Sequence, residues 1–238
     1  MDIFSQSEYY DQYWTSHKSE LNHHELCRLS EIFSALSLIK LEIGERQNLT
    51  ICDLGCGRGW LSDYLSRFGN VTAVDFSQEA VNSASLRYPS IKFVCANVLE
   101  YSPAEKFDLV LSSEVIEHID NQSRYADVIS SILKPGGFLL MTCPNGAQKT
   151  AWKTENESEQ PMEKWITCSA LNKLLIPNLE IIRHDTFYLY FSYLGLRRLF
   201  NAPKFQRLLS SIGMLRVFEV LRCQAGAGLY QLVVARRR

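Results

Sequence analysis

The stretch Thr50-Ile51-Cys52-Asp53-Leu54-Gly55-Cys56-Gly57-Arg58-Gly59-Trp60 constrains the fold more than any other. Ile51, Cys52 and Leu54 are apolar and run into glycines, the pattern of a short strand covered on both faces. Glycine at 55, 57 and 59 lets the backbone turn sharply and leaves no side chain above the turn. Trp60 then opens a helical pattern. A ligand at such a turn would rest on backbone N–H groups and on the positive end of the following helix.

The rest of the chain extends this unit. Leu21 to Ile43 repeats apolar residues at helical spacing (Leu26, Leu29, Phe33, Leu36, Ile39, Ile43) and stops at Gly44, a C-cap signal. Strands are expected over about 49–54, 71–74, 91–95, 107–112, 138–143, from 179, and over 229–234. Helices are expected over 60–68, from Ser77 to Tyr88, over 123–133 and over 169–175, with Ser77 as an N-cap. Gly69-Asn70 is read as the stop of one helix and Lys134-Pro135-Gly136-Gly137 as the stop of another. Strands alternating with helices predict a parallel, doubly wound α/β sheet. Ligands bind outside the carboxyl ends of such strands, which draws attention to Asp53–Gly59, Asp75, Asn97 and Ser112–His118.

Composition sets the class. The 238 residues are 46% hydrophobic, enough for one sizeable core and a single domain. It divides into an N-terminal helical cap (1–45), a core carrying the glycine turn (46–145) and an acceptor-side region (146–238). No apolar run reaches the roughly 18 residues of a membrane span, and the N-terminus lacks the charged and apolar regions of a signal peptide. Seven scattered cysteines with no C-x-x-C pair fit reduced thiols and a cytoplasmic protein. The net charge is −1, yet residues 181–238 carry ten Arg and Lys against Asp185 and Glu219. That basic region suits an anionic substrate, a membrane surface or RNA, or simply a solvated face. Tyr9, Tyr10, Tyr13 and Trp14 share a helical face, either packed on the domain or serving as a flap over a ligand. Residues 146–168 read as an irregular insert, and the aromatic stretch 186–222 as two or three helices.

The ligand class follows from what surrounds the glycines. A phosphate loop needs Lys-Ser/Thr after the last glycine, and Trp60-Leu61 excludes it. In a dinucleotide fingerprint Trp60 would occupy the third glycine place and obstruct helix–strand packing. Asp75, 20 residues after Gly55, suits a carboxylate that grips ribose hydroxyls. Asp53 before the glycines would repel a pyrophosphate and favours a cationic ligand. S-adenosylmethionine, with a sulfonium, an ammonium and a ribose, meets those terms.

Four segments together resemble the class I S-adenosylmethionine-dependent methyltransferases. They are Asp53–Gly59, Val74-Asp75-Phe76-Ser77, Phe107 to His118, and Leu133-Lys134-Pro135-Gly136-Gly137. The resemblance implies a Rossmann-like, seven-stranded, mostly parallel sheet whose last strand, Leu229–Val234, is antiparallel. It implies that Asp53, Leu54, Gly55, Cys56, Gly57 and Gly59 hold the methionine part. Asp75 would bind the ribose, Phe76 would pack on the adenine, and Asn97 and Val98 would meet its edge, with Ser112 at the end of the next strand. Many members have Asp where this chain has Asn97, which weakens that assignment.

Methyl transfer is an in-line displacement, so the protein mainly aligns the acceptor and excludes water. An alcohol or phenol must also lose a proton. Glu114, Glu117 and His118, at i, i+3, i+4 spacing, would share one helical face, with His118 as candidate base and the carboxylates beside it. They equally suit bracing that turn. The Glu-x-x-Glu-His set resembles the ubiquinone-biosynthesis O-methyltransferases and the small-RNA 2′-O-methyltransferases, in which it accompanies a divalent metal. The RNA enzymes add a second His after the turn matching Thr142-Cys143-Pro144-Asn145, and none follows here. Glu114, Glu117 and His118 are therefore the set that would hold Mg²⁺ with waters, but no metal is assigned. The leading reading is O-methylation of a small molecule, apolar, aromatic or lipid-like, lodged among residues 146–165 and 186–222. An RNA 2′-O-methyltransferase and a non-catalytic S-adenosylmethionine-binding protein are the alternatives, the former disfavoured by the net charge.

Overall fold

A computed structural model describes residues 9–13, 23–44, 46–149, 163–189, 226 and 228–238, with isolated positions 208 and 211. The helices are α1 (His23–Ile43), α2 (Trp60–Leu65), α3 (Gln78–Arg87), α4 (Gln122–Ile132) and α5 (Cys168–Leu175). The strands are β1 (Leu49–Leu54), β2 (Gly69–Asp75), β3 (Lys92–Cys95), β4 (Phe107–Ser113), β5 (Leu133–Pro144), β6 (Leu179–Leu189) and β7 (Gly228–Arg237). They form one sheet in the order β3-β2-β1-β4-β5-β7-β6. The first five are mutually parallel, and β7 runs antiparallel to both β5 and β6. The chain winds outward from β1 to β3, then restarts at β4 on the other side of β1. The gap above β1 and β4 is therefore the topological switch point, where open α/β sheets bind ligands.

The two-residue period of the strands divides the core into two layers. Ile51 of β1, Leu109 and Leu111 of β4 and Leu140 of β5 pack with α1 and α2. Cys52, Leu54, Val110 and Leu139 face the other way, onto α4 and α5. Parity also assigns the polar residues of these strands. Asp53 shares the parity of Ile51 and reaches Ser62 of α2. Ser112 shares that of Val110 and reaches Tyr125 of α4.

Several boundaries differ from the sequence reading. Gly69 and Asn70 begin β2, paired with Leu49 and Thr50, because a side chain at 69 would strike the Leu49 backbone. Leu133 leaves α4 directly for β5, with an irregularity opposite Phe107–Leu109 that absorbs Lys134–Gly137. The buried stripe of α1 is Leu29, Ile32, Ala35, Leu36 and Ile39, whereas Leu26 is half exposed. Thr186–Leu189 belong to β6 rather than to a helix, with Phe187 buried opposite Tyr230. The rest of the aromatic stretch expected to be helical lies outside the described residues, except positions 208 and 211. So do Trp14 and residues 150–162 of the insert. Gln231, fully buried in β7, donates to the carbonyls of Pro144 and Ile166, which ties the end of the insert to the sheet.

Candidate active site

The glycine turn stands at the switch point. Gly55, Gly57 and Gly59 have φ of 75°, 50° and 74°, a left-handed conformation that side-chain-bearing residues adopt at a cost. A Cβ on Gly55 would lie 2.4 Å from Val115, and one on Gly59 2.7 Å from the Phe93 ring. The turn differs from the sequence expectation in its hydrogen bonding. The N–H groups of Gly55 and Cys56 both donate to the Val74 carbonyl (2.7 and 3.0 Å), and that of Gly59 to Cys56 (2.9 Å). The Gly57 N–H donates to Asp75 Oδ2 at 2.8 Å. Four amides that could have cradled an anion are thus already engaged within the protein, so this is no phosphate nest.

The two aspartates carry the electrostatics. Asp53 is 2% exposed and its Oδ2 accepts from Ser62 Oγ at 2.6 Å. Burial, with a smaller push from Asp75, raises its carboxyl to about 7. Asp75 is also buried, accepts from the N–H groups of Gly57 and Ser77, and is raised chiefly by desolvation. Buried carboxyls that resist ionisation gain from a nearby cation or from hydroxyl donors. The ammonium and ribose of a cationic nucleoside supply both, so the residues present fit that group.

The other expected donor-side residues have mixed placements. Phe76 follows Asp75 at the rim of the site and meets Tyr10 edge-on, 5.3 Å between centroids. Leu54 and Val98 are buried core residues of the α4 layer. Ser112 spends its hydroxyl on Tyr125 at 2.9 Å. Cys56 is buried, its thiol pushed far up by desolvation. Asn97 Oδ1 accepts the Leu99 N–H at 3.0 Å, so the oxygen expected to meet adenine already stabilises a local turn.

On the opposite side, the Glu114–His118 segment does not form the single helical face its spacing suggested. Glu114 has φ 58° and precedes a 3-10 turn over Ile116–His118. Its N–H donates to the Thr142 carbonyl, and its Oε2 lies 3.6 Å from Arg28 of α1. Glu117 is 3% exposed, with Oε1 3.7 Å from His118 Nε2, an ion-pair distance. Burial raises both carboxyls, Glu117 further because Glu114 stands beside it. Glu114 Oε1 and Glu117 Oε2 are buried with no hydrogen-bond partner among the described residues. Among those residues no group of three or more His, Cys, Asp or Glu side chains could hold a metal ion. The Arg28 guanidinium, 3.6 Å from Glu114 Oε2, places a cation where Mg²⁺ would compete for that carboxyl.

Sequence reasoning missed Arg28 and Tyr230. Arg28 precedes buried Ile32 by four positions, so a cation on the buried stripe of a helix was the available signal. Tyr230 is brought to the site by β7; its hydroxyl is raised by burial and by Glu114. The insert contributes through Lys164, whose N–H donates to the Glu117 carbonyl at 2.6 Å.

Comparison with known proteins agrees with this geometry. Residues 52–141 match the family model described as a methyltransferase domain. That segment runs from β1 into β5, so the matched part is the half of the sheet that carries the glycine turn and the Glu114–His118 segment. A ubiquinone biosynthesis O-methyltransferase of Bradyrhizobium diazoefficiens is 31% identical over 159 residues, covering 60% of this chain and 62% of that protein. One from Caulobacter vibrioides is 33% identical over 110 residues, 43% of this chain and 44% of the relative. The chain thus spans less than two thirds of the curated relatives it matches. The N-methyltransferase NodS from Bradyrhizobium japonicum WM9, solved with S-adenosyl-L-homocysteine, shares the fold over 98% of both chains, with a TM-score of 0.66 at 15% identity.

Proposed function

We propose that this methyltransferase transfers the methyl group of S-adenosylmethionine to an oxygen of a small molecule. The observation that carries the reading is the His118–Glu117 pair at the carboxyl end of β4, across the switch point from the Asp53–Gly59 turn. A hydroxyl acceptor needs a base there, and an imidazole beside a buried carboxyl is one. S-adenosylmethionine supplies the electrophilic methyl on its sulfonium. Asp75 orients the ribose, Asp53 favours the ammonium, and Phe76 packs beside the adenine. The His118 imidazole takes the acceptor proton, and the Glu117 carboxyl beside it, Oε1 3.7 Å from Nε2, stabilises the imidazolium so formed. Tyr10, Val115 and Tyr230 help exclude water.

The curated O-methyltransferase relatives support oxygen over nitrogen, and they support a small acceptor. Free thiols at the six described cysteines support a cytoplasmic setting. No helix among the described residues is long and apolar enough to cross a membrane. Phenols, sugars, lipids and short RNA, offered with labelled S-adenosylmethionine with and without EDTA, test acceptor class and metal need together. His118→Ala should lower turnover on a hydroxyl acceptor by about 10²- to 10⁴-fold. Its affinity for S-adenosylhomocysteine should stay within about twofold of wild type. Wild-type turnover in that variant removes His118 from the chemistry.

A further inference from the structure

Residues 9–13 form one helical turn over the carboxyl edge of the sheet, where it meets Phe76, Ser77 and His118, all more than 60 residues away in sequence. Asp11 accepts from Ser77 Oγ and, at 3.2 Å, from the Glu79 N–H, so it caps the start of α3 from outside. Ser77 also donates its N–H to Asp75 at 3.0 Å. The attachment point of the turn and the ribose-side carboxylate therefore share one residue. Next to Asp11, Tyr10 meets Phe76 edge-on at 5.3 Å and His118 edge-on at 5.9 Å. One ring thus spans the donor side and the base. The Tyr10 hydroxyl is buried and has no hydrogen-bond partner among the described residues. A buried hydroxyl without a partner is costly, and a ligand oxygen brought beside it removes the cost. Desolvation, then Glu117, keep the phenol well above its ordinary range, so it stays a hydrogen-bond donor.

We propose that residues 9–13 are a lid latched by Asp11 onto Ser77, and that the lid carries Tyr10 into the site, where its hydroxyl donates to an oxygen of the acceptor. The inference rests on the methyltransferase reading and adds a specificity-determining residue to it. An acceptor would need an oxygen on the side facing Phe76 as well as the hydroxyl that meets His118. Tyr10→Phe removes the hydroxyl and keeps the ring contacts, and Asp11→Ala removes the latch.

The test is calorimetry with catechol as the probe acceptor, added to protein already saturated with S-adenosylhomocysteine. Tyr10→Phe should bind catechol at least tenfold more weakly than wild type. Its thermal midpoint without acceptor should be no lower than that of wild type and its S-adenosylhomocysteine affinity unchanged, which a merely structural role would not predict. In Asp11→Ala, amide exchange over residues 9–13 should accelerate at least tenfold in the presence of S-adenosylhomocysteine. Equal catechol affinity in wild type and Tyr10→Phe, or no catechol binding by wild type, overturns the inference and leaves the methyltransferase reading standing. So does unchanged exchange in Asp11→Ala. Failure of the wild type to bind S-adenosylhomocysteine overturns both.

Discussion

Asp53→Asn isolates the electrostatic cost stored beneath the glycine turn. The Asp53 carboxyl titrates at about 7 in the folded protein, against an ordinary value of 3.8. The unfolded chain therefore ionises at lower pH than the native state. Asp53 contributes its full stability only below about pH 4, and that contribution is lost as pH rises through about 7. Between pH 5.5 and 8 the loss amounts to about 2 kcal/mol, from about 1.4 kcal/mol for each pH unit of offset up to the folded value. Asparagine does not titrate and still has an amide group to offer Ser62. In urea unfolding, Asp53→Asn should gain about 2 kcal/mol on wild type as pH goes from 5.5 to 8. Taking the difference between the two proteins cancels the other titrating groups they share. S-adenosylhomocysteine should reverse the order, because its ammonium favours the ionised aspartate. Ligand should stabilise wild type more than the variant at pH 8. A wild-type-to-variant difference that stays flat across this range refutes the assignment of a raised, proton-holding Asp53.

Two further changes probe the same site. Gly55→Ala places a Cβ 2.4 Å from Val115 at a φ of 75°, and should lower stability by about 2–4 kcal/mol in denaturant melts. Wild-type stability there would mean that the turn readily rearranges. Asp75→Ala should weaken S-adenosylhomocysteine binding by about 1.5–3 kcal/mol in calorimetry. It should also lower the melting temperature, since the Gly57 and Ser77 N–H groups lose their acceptor. Unchanged affinity would place the ribose elsewhere.

What the sequence determined by itself is what depends on local periodicity and backbone chemistry. The β1–turn–α2 unit, the alternation of strands and helices and the Ser77 cap were legible in this way, and the antiparallel last strand followed from the family resemblance. Glycines at alternate positions and apolar runs of strand length leave few other conformations open. Asp53 and Asp75 stood out because carboxylates flanking such a turn have few structural explanations. Tertiary structure decided which hydrogen bonds those groups keep for the protein. The turn amides close on Val74, Cys56 and Asp75 because β1 and β2 lie side by side, and no local pattern specifies that partner. Strand parity sends Ser112 to Tyr125 and Asp53 to Ser62, which only a known sheet register reveals. Glu114 parts from the Glu117–His118 turn because its backbone bonds across to β5 and Arg28 reaches it from α1. Arg28 and Tyr230 come to the site from opposite ends of the chain, and spacing along a sequence carries no information about such convergence, whereas Tyr10 lay on the aromatic face read as a packed helix or a flap. The glycine turn and its two aspartates could thus be read from the sequence, while the Glu114–His118 side of the site was assembled by long-range packing.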